Sequence, residues 1–121
     1  PYYPDAMIRI FAPIFTLVLL FSSLARSDTV GWYDLVERDG LYYEESDDVP
    51  FTGAVTGQRK GKIKNGKQEG TWIWYWSYGR LRQKGEYRTG KREGPWIWYN
   101  PDGAKNEALS GIYRNGVKVS D

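Results

Sequence analysis

The chain has 121 residues, enough for one small domain. It holds no cysteine and no histidine, which excludes disulfides, thiolate metal sites and cysteine nucleophiles, along with the commonest general base and metal ligand. Net charge is only +2, but aromatic residues reach 17% and there are 14 glycines, a mixture that favours short strands and tight turns over long helices.

In chain order, residues 1–6 precede a plausible start at Met7 and read as an upstream tail. Residues 7–27 read as a secretory signal peptide: Arg9 gives a positive start, Ile10 to Phe21 is almost wholly apolar, and Ser23-Leu24-Ala25 places small residues where a peptidase reads them. The apolar run is short for a membrane span, which needs about 20 residues. The expectation is an exported protein, periplasmic or extracellular; the alternative is an inner-membrane anchor formed by residues 8–24.

Residues 28–58 form an acidic cap segment. Asp28 to Asp48 holds eight acids against one base, Arg38, whereas Arg59 to Glu93 holds eleven bases against three acids. Two readings follow: the stretches attract and dock within one fold, or a basic face meets an anionic partner. Glu44 to Asp48 ("EESDD") lacks the spacing and glycine of a calcium loop and reads as a solvated acidic loop. No metal or cofactor is expected.

Residues 59–121 carry a repeat. "NGKQEG" at Asn65 to Gly70 returns as "TGKREG" at Thr89 to Gly94, and "WIWY" at Trp72 to Tyr75 returns at Trp96 to Tyr99. A third, partial copy is "SGIYRNGVK" at Ser110 to Lys118. The step is 24 residues, then 26, with the two extra residues between Gly103 and Gly111. Each unit predicts a hairpin: a short strand, an Asn-Gly or Thr-Gly turn, then a Trp-rich strand. Asn100 to Gly103 ("NPDG") is a turn, and Tyr78-Gly79 holds the matching place one copy earlier.

Period-two alternation then assigns faces. Ile63, Tyr87 and Tyr113 share one position, and Lys64, Arg88 and Arg114 the next, on the opposite side. Arg80, Arg82 and Lys84 alternate with Leu81, Gln83 and Gly85, so one face is read as apolar and the other as basic. Trp72, Trp74 and Trp76 alternate with Ile73 and Tyr75. That pattern fits a strand buried on both sides, and equally a thin sheet with one aromatic face left open.

These residues resemble the bacterial variant of the MORN repeat, in the arrangement of the YwqK-type antitoxin family, over about Leu41 to Asp121. Gly70, Trp72, Tyr75, Gly79, Gly85, Tyr87, Gly90 and Lys91 fill its phrase once; Gly94, Trp96, Tyr99, Gly103, Gly111, Tyr113 and Gly116 fill it again, with Val117 in place of lysine. The resemblance implies a single-layer antiparallel sheet of stacked hairpins; with the leader, the expected fold is a mainly β chain behind an N-terminal signal helix. The resemblance also implies a protein-binding scaffold, with a toxin as partner if the antitoxin label applies. An export signal departs from an antitoxin guarding the cytosol.

The candidate sites follow. Trp72, Tyr75, Trp96 and Tyr99 are read as packing residues. Trp74, Trp76 and Trp98, which the repeat phrase does not require, are read with Tyr78 as exposed contacts for a protein partner or a sugar ring. Lys60, Lys62, Lys64, Arg80, Arg82, Lys84, Arg88 and Arg114 are read as a solvated basic face that could meet an anionic membrane surface; export argues against nucleic acid. Glu69 and Glu93 recur in equivalent turns and read as structural rather than catalytic carboxylates. No nucleophile–base pair or phosphate loop is present in the sequence, and neither an enzyme nor a small-molecule substrate is expected.

Overall fold

The computed structural model describes residues 28–121; the tail over 1–6 and the leader over 7–27 lie outside the described residues. No helix among the described residues is long and apolar enough to cross a membrane.

The protein is mainly β. Among the described residues ten strands run β1 (Asp28–Gly31), β2 (Leu35–Arg38), β3 (Leu41–Glu44), β4 (Gly53–Thr56), β5 (Arg59–Lys64), β6 (Lys67–Tyr75), β7 (Leu81–Arg88), β8 (Lys91–Trp98), β9 (Gly111–Arg114) and β10 (Val117–Ser120), with a 3-10 turn at Trp32–Asp34. Eight make one sheet in the order β1-β4-β5-β6-β7-β8-β9-β10, and β2 and β3 make a separate hairpin. From β4 to β10 every neighbour is antiparallel; β1 joins β4 in parallel. The boundary read at residue 59 therefore falls inside the β4–β5 hairpin, and the acidic segment shares its sheet with the Trp-rich strands.

Two-residue turns set the register. Asp39-Gly40, Asn65-Gly66, Thr89-Gly90 and Asn115-Gly116 all have both residues at positive φ, the mirror-image turn whose twist matches paired strands. Each Trp-strand turn docks on the strand before it: Gly90 N–H donates to the Gln68 carbonyl at 2.9 Å and Gly116 N–H to the Arg92 carbonyl at 3.0 Å. The carboxylates beside those acceptors finish the dock. Glu69 Oε1 accepts from Thr89 N–H at 3.1 Å, and Glu93 Oε1 from Asn115 N–H at 3.5 Å. That is why an acid recurs at this place in the first two copies.

The core lies on one side of the large sheet. Phe51, Val55, Ile63, Trp72, Tyr87, Trp96, Trp98 and Tyr113 are buried, and Val30, Trp32, Leu35 and Tyr42 pack against them from the N-terminal strands. Trp72 and Trp96 explain the glycines. Each indole lies across the neighbouring strand, where a Cβ at Gly61 would come within 2.3 Å of the Trp72 ring and one at Gly85 within 2.1 Å of the Trp96 ring. The ring N–H then reaches that strand's backbone: Trp72 Nε1 donates to the Lys62 carbonyl at 3.0 Å, and Trp96 Nε1 to the Glu86 carbonyl at 2.9 Å. So each Gly–Trp lock joins one strand to the next, burying a large ring while satisfying its polar edge.

The two extra residues before β9 leave the ladder after a single bridge, Tyr99 to Lys105. Ser110, itself buried, repairs the gap: its Oγ accepts from Trp98 N–H at 2.9 Å and donates to the Trp98 carbonyl at 3.3 Å.

Candidate functional site

Seven rings form a continuous series over the core side. Tyr42 meets Trp32 at 4.9 Å between centroids, Trp32 meets Trp72 at 5.8 Å, Trp72 meets Tyr87 at 6.2 Å and Tyr87 meets Trp96 at 5.0 Å. Trp96 meets Trp98 at 5.2 Å, and Trp98 meets Tyr113 at 5.6 Å. The Arg92 guanidinium lies over this series, 5.3 Å from the Trp96 centroid and 5.0 Å from that of Trp98.

A second series branches toward the hairpin ends, and in it cations alternate with indoles. Arg59 lies 3.7 Å from the Trp32 centroid and 4.2 Å from that of Trp74. Arg82 lies 3.8 Å from the Trp74 centroid and 4.4 Å from that of Trp76. The order is Trp32, Arg59, Trp74, Arg82, Trp76. A planar guanidinium stacked on an indole keeps its N–H edge free of the ring, so this file sets directed donors beside indole rings. Burial holds the Arg59 pKa below the usual arginine value, with the nearby Arg92 charge acting in the same direction. Trp76 Nε1 is buried and finds no partner among the described residues. Beside the file, Tyr78 is 56% exposed, its hydroxyl donating to the Pro101 carbonyl, and Arg80 donates to the Asp102 carbonyl at 2.9 Å.

Trp98 is 8% exposed, not an open contact, because Trp96, Tyr113 and the Ser110 loop close around it. Trp74 and Trp76 are half-buried rather than fully open, since guanidiniums occupy their faces. Arg82 does not join the basic face. The register between β6 and β7 shifts after Trp74, which leaves Arg82 as the extra residue of a bulge, and it turns onto the indoles. Arg80 leaves that face too, for the turn.

The remaining cations, Lys60, Lys62, Lys64, Lys84, Arg88 and Arg114, are exposed on the strands as read. Acids interrupt them, however: Lys62 pairs across from Glu69, and Glu86 from Glu93. Tyr75 and Tyr99 are half-buried and lie outside the buried core; Lys60 Nζ lies 5.6 Å from the Tyr75 ring. The two ion pairs found among the described residues, Lys105–Glu107 and Lys118–Asp121, do not join the acidic segment to the basic strands. Arg59 on Trp32 joins them through a cation–ring contact, beside the β4–β5 pairing and the packing of Trp32 on Trp72. Neither Arg59 nor Trp32 was singled out from the sequence. The available signal was a break in the copy: Arg59 stands where the next copy has Gln83.

No family model, curated protein or solved structure matches the chain.

Proposed function

We propose that the chain is an exported, non-enzymatic repeat scaffold of the MORN-variant type that binds another protein through its hairpin ends. The observation that carries this reading is the cation–indole file ending at Trp76, with exposed Tyr78 beside it. Aromatic and arginine side chains are the residues that dominate protein interfaces. These lie apart from the Gly–Trp locks that hold the sheet, and the repeat phrase does not require them. Guanidinium edges beside indole faces suit a partner segment that brings a carboxylate and an apolar side chain together. A toxin is one form such a partner takes. A membrane or glycan partner for the basic face gains less support, because Glu69, Glu86 and Glu93 dilute the single-sign field that an anionic surface attracts.

The test compares partners captured from an envelope extract by the unaltered chain and by Trp76→Ala and Tyr78→Ala variants. A partner held by the former and lost by both variants, with unchanged thermal unfolding, supports the reading. Equal capture by all three contradicts it. Sedimentation with anionic vesicles gives the membrane alternative its own outcome, as salt-sensitive binding that Lys62→Glu abolishes.

A further inference from the structure

The copies differ systematically at one end of the sheet. The position held by Lys62 and Glu86 in the first two copies is Ile112 in the third, and that held by Lys67 and Lys91 is Val117. Where Glu69 and Glu93 stand, the third copy has Val119, and Thr71 of the first Trp strand becomes Pro95 in the second. The fold accepts charged or polar residues at the positions of Ile112, Val117 and Pro95, as its own earlier copies demonstrate; at Val119 a bulge shifts the ladder, and Ser120 pairs with Ile112. Replacing every one of them with an apolar residue is therefore not a requirement of the hairpin.

These residues meet on one surface. Pro95 pairs across from Ile112 on neighbouring strands, and both line an open trough of about 530 Å³ together with Ile97. The inserted segment before β9 contributes its wall through Lys105 and Glu107. Beside the trough runs the outermost strand, β10, where Val117 is 64% and Val119 is 55% exposed. Edge strands ordinarily carry charge there to discourage pairing. Here a ridge of valines stands next to an apolar trough.

We infer that this surface is an interface between two copies of the chain, the β10 ridge of each copy seated in the trough of the other. A two-fold interface must be complementary to itself. This surface holds both halves of that requirement: a ridge and a trough side by side, and both signs of charge on the rim, Lys84 and Lys105 against Glu86, Glu107 and Asp121. An anionic lipid surface would meet three carboxylates there. The interface lies away from the cation–indole file, so the proposed partner site stays open in the dimer.

Sedimentation velocity on the full chain tests this against an Ile112→Glu/Val117→Lys variant, whose new residues are those of the preceding copy. The unaltered chain should sediment as a dimer, and the variant should raise the dissociation constant by about tenfold or more with unchanged thermal midpoint and indole emission. Pro95→Thr/Val119→Glu, also borrowed from the earlier copies, should do the same and serves if the first variant misfolds. Lys62→Glu, outside the trough, should leave the dimer intact. A monomer at every concentration overturns the inference, as does a dimer that survives both double variants. Capture of a different protein that is lost in those variants, with no self-association, also overturns it.

Discussion

Thr89 is a β-branched residue at φ 51°, where the equivalent turns carry Asn65 and Asn115. A left-handed backbone costs such a residue about 1–2 kcal/mol, and asparagine tolerates it better. Thr89→Asn should therefore stabilise the protein by about 0.5–1 kcal/mol, a rise in thermal midpoint of roughly 4–8 °C per kcal/mol for a domain this size. No rise, with the turn's hydrogen bond to Glu69 retained, would contradict this account of the turn. Gly85→Ala works in the other direction. Its methyl would meet the Trp96 indole, and overpacking of this kind costs about 1–3 kcal/mol in urea unfolding. Trp96→Leu in the same chain should make that alanine nearly neutral, because the clash has one cause. Tyr42 ties pH to stability. Burial raises its pKa above the usual tyrosine value, with the charge of Glu37 adding to the effect. The folded state thus favours the neutral phenol. Its contribution is fully present below the unfolded pKa and is lost as pH rises through the raised value. Tyr42→Phe should flatten the alkaline fall in stability above about pH 10; an unchanged slope would contradict this.

At the scale of elements, a Gly–Trp lock closes each of the two Trp hairpins between its own strands, and two further devices, a turn glycine N–H and a glutamate carboxylate, fasten one hairpin to the next. Ser110 substitutes for ladder bonds where two extra residues break the pattern. Ser110→Ala should cost about 1–3 kcal/mol, because it strands a buried N–H. Ser110→Thr, which keeps the hydroxyl, should cost less. The hairpins were legible in the sequence because the chain writes the same turn three times and the same Trp strand twice. β1 was not: its parallel pairing with β4 is a long-range choice made outside the copied phrase. Nor was the cover that Trp32 and Tyr42 provide, for the same reason. Period-two reading placed Trp74 beside Trp72 correctly but failed at Arg82, where one bulged residue reverses the face. The repeat phrase, which does not require Trp98, left it outside the core, because Ser110, which closes over it, follows directly on the irregular segment before β9.

Across the whole molecule, a single sheet divides its labour between two sides and two ends. One side carries the rings that join strand to strand, covered at the N-terminal end by the β2–β3 hairpin and its neighbours. The outward file of Arg59, Trp74, Arg82 and Trp76 continues from those rings at Trp32, so the proposed partner surface and the fold share an anchor but not their outer residues. Loss of Trp72 or Trp96 should therefore cost the sheet about 3–5 kcal/mol, whereas loss of Trp76 should leave its stability little changed. Hydrogen exchange of the six indole N–H groups, followed by NMR and assigned with single Trp→Phe variants, tests this division most directly. The account predicts strong protection for Trp72 and Trp96, whose N–H groups bond to the Lys62 and Glu86 carbonyls, matching the slowest backbone amides of β6 to β8. Rapid exchange of those two indoles while the strand amides remain protected would contradict it.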